Sequence, residues 1–336
     1  MRFLFARRCA LSFVLAGICM GWGANASADN DEVTLILDWI PDGAYAAFYA
    51  GVAEGIYEDE GLDVTIERGY GSSDTVTKIA ADVATFGVAD IASVMAGRVE
   101  GGTPVKAVSS IYTRPPHTIF TLDDSGIEEF ADLRGKNLAG APGSAVRVFL
   151  PYVLAQHGLS EDDLNITDAD PANMGPLLAA RRADAVTGFL TNLPRLQSTA
   201  EQAGANVRAL EFAETLEMYG NSVIAAEDTI SESPELVQRF VRATNAALEF
   251  SLENPDTAAE HISEALDGMD PERERLGMDV HNDLTFNSAV AEANPTGYFD
   301  AEQLRRTWET VAAAKDYDVN EVDAESFISR EFVAGE

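Results

Sequence analysis

The sequence predicts an α/β protein of two lobes, each built on a mostly parallel sheet flanked by helices. Three observations carry that expectation. From Val33 onward, short apolar runs rich in β-branched residues alternate with amphipathic stretches of helical length. The alternation is played through twice in tandem. The last third of the chain then loses its strand signal and reads as helices, which need a sheet or core to pack on.

The first block runs through strand "VTLILDW", a helix over Ala44–Ala53, strand "LDVTIE", a helix over Asp74–Ala81, strand "TFGVAD", a helix over Ile91–Val99 and strand "VKAVSSIY". The second follows with "HTIFTL", a short helix at "IEEFADL", strand "KNLAGA" and a helix over Ser144–His157 closed by Gly158. It continues with strand "LNITDAD", helix "MGPLLAARR" and strand "ADAVTGFL". After "NVRALEF" and "NSVIAAE" come helices over Pro234–Leu252, Thr257–Leu266 and Ala301–Asp316, the first introduced by the capping sequence Ser231-Glu-Ser233-Pro234-Glu235. The economical arrangement returns this helical part to the first block. That gives a first lobe of residues 29–118 and 223–336, a second lobe of 119–222, and crossovers near His117–Leu122 and Tyr219–Ala226. Two lobes on two linkers make a cleft that can close by hinging.

Residues 1–28 have a basic start (Arg2, Arg7, Arg8), an apolar middle and small residues at Ala26 and Ala28, the layout of a cleaved export signal. Both cysteines, Cys9 and Cys19, lie inside it, so the mature chain is expected to carry no disulfide, thiolate nucleophile or cysteine metal site. Later segments hold no membrane-length apolar run, and a soluble periplasmic product is expected. With the three leader arginines removed from 23 basic residues, 20 remain against 56 acidic ones, a net charge of −36. Nucleic acid and anionic membranes are therefore poor partners. Only four basic residues are lysine, and an acid-rich, lysine-poor surface fits either a saline habitat or plain solubility.

The stretch "LDWIPDGAYAAFYAG" ends an apolar strand in Asp-Trp and starts an aromatic helix, as one wall of a site would. With "GIYEDEGLDV" and "TFGVAD" it resembles the opening of bacterial solute-binding proteins of ABC importers, in the branch serving thiamine-pyrimidine precursors, sulfonates and related small molecules. The resemblance continues through "GIEEFADLRGKNLAGAPGSAV" and "RADAVTGFLTNLP" to "ELVQRFVRATNAALEFSLENPDTA". It implies the two-lobed periplasmic binding fold of the second type, a membrane permease and ATPase as partners, a monomeric receptor, and no catalysis.

In an open α/β sheet the ligand crevice lies beyond the carboxyl ends of the strands. Trp39 and Tyr45 are expected there, their flat faces suited to a planar ring, while Phe48 and Val52 are assigned to the core. Asp90, ending "TFGVAD", is either an ordinary N-cap or an acceptor for a heterocycle's amino group. Gly143 and Ser144 lead a strand into a helix start that suits an anion or a carbonyl oxygen, or simply cap it. Phe189 and Asn192 close another strand, the amide matching a donor–acceptor edge or serving a turn. Tyr112, Tyr219 and Asn221, near the crossovers, complete the candidates, and Arg114 is a test position for a sulfonate or carboxylate. Four scattered histidines have no metal-ligand spacing, and Ser144 has no activating base nearby, so no metal, cofactor or nucleophile is expected.

The expected function is capture of a small planar nitrogen heterocycle. The alternative is an alkanesulfonate, taurine or aromatic carboxylate receptor. A third, an enzyme similar to eukaryotic pyrimidine-precursor synthases, is disfavoured because those depend on a cysteine-rich segment and an active-site histidine.

Overall fold

The computed structural model describes residues 30–333, so the expected export signal lies outside the described residues. Ten strands form two sheets of five. The first holds β1 (Asp31–Ile36), β2 (Leu62–Glu67), β3 (Phe86–Asp90), β4 (Val105–Ser110) and β10 (Asn221–Ala226). The second holds β5 (His117–Leu122), β6 (Asn137–Gly140), β7 (Asn165–Asp168), β8 (Ala185–Phe189) and β9 (Val207–Glu211). Their orders, β2-β1-β3-β10-β4 and β7-β6-β8-β5-β9, follow one plan. In each, the single reversed strand is the one the chain enters straight after crossing from the other sheet: β10 runs antiparallel to β3 and β4, and β5 antiparallel to β8 and β9. A crossing strand arrives without a helix to turn it round, so it must run against its neighbours.

The helices of the first two blocks are α1 (Ala46–Ala53), α2 (Ile56–Asp59), α3 (Ser72–Ala80), α4 (Ile91–Gly101), α5 (Ala145–Gln156), α6 (Met174–Ala179) and α7 (Leu193–Glu201). The helical third contributes α8 (Glu227–Glu232), α9 (Pro234–Glu253), α10 (Pro255–Ala265), α11 (Pro271–Phe286), α12 (Ala289–Ala293) and α13 (Ala301–Lys315). The segment expected as a helix at 127–133 is only a 3-10 turn at Phe130–Leu133, while α7 and α11 are full helices that hydrophobic spacing did not indicate. Helices α9 and α10 pack on α1, while α11 and α13 reach α7 and α5. One buried apolar cluster therefore runs continuously from Ile36 and Val94 to Phe149 and Trp308, joining the lobes behind the cleft.

Strand β1 stops at Ile36, two residues before Asp38; beyond it the Leu37 amide reaches the Glu67 carbonyl at 2.8 Å, and the Trp39 and Asp38 carbonyls accept from the Gly69 and Gly71 amides at 2.9 and 2.7 Å. Asp38 and Trp39 thereby stand just past the carboxyl edge of the sheet, their backbone tied to the loop after β2. Asp42 caps the following 3-10 turn at Gly43–Tyr45, accepting from the Ala44 amide at 3.1 Å. The turn runs tight against α11: a Cβ on Gly43 would lie 1.9 Å from the Glu274 carbonyl oxygen, so only glycine fits.

Candidate functional site

Asp38 forms the floor of the inter-lobe cleft. Its Oδ1 accepts from the Tyr45 hydroxyl at 2.8 Å and its Oδ2 from the Ser72 hydroxyl at 3.0 Å, while the Asn221 amide reaches both oxygens at 3.1 and 3.2 Å. Four bonds roughly fill a carboxylate's acceptor sites. The side chain is buried, and that burial pushes its pKa up to about 6 despite the four donors. A saturated, buried carboxylate offers the cleft a negative field more than a free acceptor.

A second carboxylate stands beside it. Asp42 receives the Asn192 amide at 3.0 Å from across the cleft, and burial, then the charge of Glu274, raises its pKa to about 7. Glu274 itself accepts from the Gly43 amide at 2.8 Å and is held by the Arg273 guanidinium at 2.6 and 2.9 Å. Asn192 is a strut: its Oδ1 accepts from the Phe189 amide at 2.9 Å while its Nδ2 donates to Asp42.

The opposite wall comes from the second lobe. Ser144 precedes α5 without capping it, and its buried hydroxyl has no hydrogen-bond partner among the described residues. Phe189 and Gly188 end β8. Between the walls lies a cavity of about 240 Å³ lined by Asp38, Trp39 and Ser72 on one side and by Ser144–Val146, Gly188, Phe189 and Asn192 on the other. Trp39 packs against the cores of both lobes. The lobes meet at the cleft mouth, where the Ser73 amide donates to the Gly143 carbonyl at 3.1 Å. Gly71 sits so close there that a Cβ would come within 2.5 Å of the Gly143 carbonyl oxygen.

Of the residues expected at the site, Trp39, Ser144, Phe189 and Asn192 line this cavity and Gly143 stands at its mouth. Tyr45 and Asn221 touch it only through Asp38. Asp90 caps α4, accepting from the Ala92 amide at 2.9 Å, and its other oxygen lies 3.1 Å from His117 Nε2 but out of line for a hydrogen bond. Tyr112 shares a 3.1 Å hydrogen bond with His281 Nδ1, a histidine whose pKa burial lowers to about 3. Tyr219 is fully buried against Phe299, its hydroxyl accepting from the Asp300 amide at 2.7 Å. Arg114 pairs with the Asp283 carboxylate and faces a different hollow. Phe48 is in the core as expected; Val52 is not, being 43% exposed at the far end of α1. Asp38, Asp42 and Ser72 are the site residues that sequence reasoning missed. The visible signal for the first was a charged residue interrupting the apolar run just before Trp39.

Among the described residues no cluster of three or more histidine, cysteine or acidic side chains is placed to hold a metal, and no helix is long and apolar enough to cross a membrane.

A family model described as "NMT1/THI5 like" matches residues 43–258. The chain is 30% identical over 325 residues to the riboflavin-binding protein RibY of Chloroflexus aurantiacus, covering 93% of this chain and 88% of that one. It is 24% identical over 335 residues to the formylaminopyrimidine-binding protein of Halalkalibacterium halodurans, covering 96% of each. A 4-amino-5-hydroxymethyl-2-methylpyrimidine phosphate synthase of Aspergillus parasiticus matches 69% of this chain at 26% identity. Among solved structures, the alkanesulfonate-binding protein SsuA of Xanthomonas axonopodis pv. citri, bound to MOPS, superposes with a TM-score of 0.71 at 17% identity, over 90% of this chain and all of that one (100%).

Proposed function

The chain belongs to the NMT1/THI5-like family, and from that premise we propose that it is the solute-binding component of an ABC import system, closing its two lobes on a small planar nitrogen heterocycle. The observation that carries the reading is the pairing of Trp39 and Phe189 around a cavity whose floor is a buried carboxylate with no cation beside it. Two aromatic faces suit a ring. The uncompensated charge of Asp38, reinforced by Asp42, favours a rim of N–H donors and opposes an anion. That argues for a pyrimidine- or flavin-like solute and against a sulfonate or carboxylate: Arg114 is occupied elsewhere, and Arg195, in the adjoining hollow, already faces the charge of Asp42.

The same features argue for a receptor. The cavity lining contains neither histidine nor cysteine, and its one carboxylate, Asp38, has its oxygens engaged by Tyr45, Ser72 and Asn221, so none is left free to take a proton from a bound molecule. The relatives named as binding proteins cover nearly the whole chain, whereas the synthase covers a part of it. In this reading the protein acts in the periplasm as a monomer and presents its closed form to a permease and its ATPase, which must tell loaded from empty receptor.

The test is isothermal titration of the purified chain with riboflavin, with 4-amino-5-hydroxymethyl-2-methylpyrimidine and with taurine, alongside tryptophan fluorescence. Trp308 is buried against Tyr317 and Phe327 and is not part of the cavity lining, so quenching that disappears in Trp39→Phe reports the site. Saturable binding of a heterocycle and none of taurine is the expected result. Taurine binding with neither heterocycle bound would sink the reading.

A further inference from the structure

The cavity between Trp39 and Phe189 adjoins a second one. Trp39 and Asn192 line both, and beyond them, on the side of β8, α6 and α7, is a hollow of about 580 Å³, more than twice the empty space of the first. Its walls are of another kind. Thr187 comes from β8, Arg195 and Thr199 from α7, and Pro171 and Ala172 from the turn before α6.

Two polar groups there have nothing to bind. Thr187 is 1% exposed, and its hydroxyl finds no hydrogen-bond partner among the described residues. The Arg195 guanidinium makes no hydrogen bond or ion pair among the described residues, its backbone carbonyl alone accepting from the Thr199 hydroxyl at 3.0 Å, although most arginines of this acidic chain sit on a carboxylate. Its charge is felt by Asp42, whose carboxyl it holds lower than burial alone would. A buried hydroxyl and a half-buried guanidinium left unpartnered in a polar hollow are groups that a ligand completes.

We infer that this second hollow receives a neutral, hydroxyl-bearing arm of the ligand, so that the solute is a heterocycle carrying a short polyol substituent and not a bare ring. The inference rests on the heterocycle reading of the first cavity and deepens it. Neutrality follows from the charges: a phosphate or carboxylate placed here would gain one cation, Arg195, but would sit in the field of Asp42 and Asp38. A hydroxyl both donates and accepts, so it can take a bond from the guanidinium while donating to a threonine oxygen. The apolar surface of Leu196 and Met174 suits the carbon backbone of such an arm.

Calorimetric titration with three probes tests this: riboflavin, which carries a ribityl chain; lumiflavin, the same ring system with a methyl group in its place; and riboflavin 5′-phosphate. Riboflavin should bind at least about tenfold tighter than lumiflavin, and the phosphate should bring no gain. In Arg195→Ala and Thr187→Val the riboflavin affinity should fall about fivefold to tenfold while lumiflavin changes less than about twofold. The probe comparison in the unaltered protein stands even if a variant misfolds. Equal affinity for riboflavin and lumiflavin would overturn the arm while leaving the ring reading intact, as would binding of a bare aminopyrimidine with no flavin bound. A phosphate tighter than riboflavin by about tenfold would overturn neutrality in favour of an anion site. Failure of every heterocycle would remove the ring reading and the arm with it.

Discussion

Asp42 carries a measurable consequence of where it is buried. Its carboxyl holds a proton up to about 7 in the folded protein, against an ordinary value of 3.8, and Asp38 behaves similarly up to about 6. Between those limits the folded state binds more protons than the unfolded state, so these two groups make stability fall as pH rises from about 4 to about 7. Above pH 7 the loss is complete, on the order of a few kcal/mol for each shift of this size. Buried His281, its pKa lowered from 6.5 to about 3, acts with the opposite sign between those values and offsets about one of the two carboxylates there, so the net fall is that of the other. Exposed carboxylates whose pKa is lowered, such as Asp132 held by the Glu128 and Glu129 amides, also oppose the fall but at lower pH. Thermal melts from pH 4.5 to 8 should therefore slope downward in the unaltered protein and markedly less in Asp42→Asn. Asn192→Ala removes the strut but keeps the buried charge, so it should keep the slope; an unchanged slope in Asp42→Asn would reject the assignment. None of this was legible beforehand. A carboxylate's meaning here depends on Tyr45, Ser72 and Asn221, which lie 7, 34 and 183 residues further along the chain.

Among elements, the two loops at the cleft mouth decide whether the lobes can meet. Gly71 has a φ of +130° and faces the Gly143 carbonyl, so a methyl group there is both strained and in the way. Gly143 has room: an added Cβ would have only the Tyr70 carbonyl at 3.8 Å and the Asp74 amide at 4.0 Å near it. Gly71→Ala should lower ligand affinity by about tenfold or more and leave a more open particle in small-angle scattering with ligand present, whereas Gly143→Ala should stay within about twofold. Equal effects from both would mean that this contact does not gate closure. The sequence showed the strands clearly, because each is a run of β-branched residues bounded by turns. Helix α11 was invisible for a physical reason. Its buried side carries Glu274, His281, Asn282 and Thr285 among only a few apolar residues, so no apolar stripe marks it. That polar face is what holds the Gly43 turn and Tyr112 in place behind the cleft. The turn at Phe130–Leu133 errs the other way, since "IEEFADL" has helical composition but only enough length to tuck Phe130 and Leu133 under α5.

For the molecule as a whole, charge outweighs any single pair. The sequence carries a formal charge of −33, and most of its ion pairs are exposed, where each contributes roughly 0–1 kcal/mol. Net self-repulsion should then exceed what those pairs return at low ionic strength. Screening shortens its reach to about 3 Å at molar salt. The melting temperature should rise from 10 mM to 1 M sodium chloride, and a flat profile would show that the acidic surface is only a matter of solubility. The two-lobed plan and its crossovers were readable because the chain repeats its alternation, but the reversed direction of β5 and β10 was not, since reversal of one strand leaves no mark on its hydrophobic pattern.

The late return of β10 also sets a timetable. Strand β10 lies between β3 and β4, yet it is made only after the entire second sheet has been laid down between them and it. Until residues 221–226 arrive, β3 and β4 have nothing to bridge them, and each offers a row of unpaired amides and carbonyls. The second sheet has no such debt to later sequence: β5 through β9 are contiguous, and it can form while the first waits. A ribosome releasing this chain from its amino end therefore delivers the opening half of the protein unfinished, and the part made second is the part able to settle first.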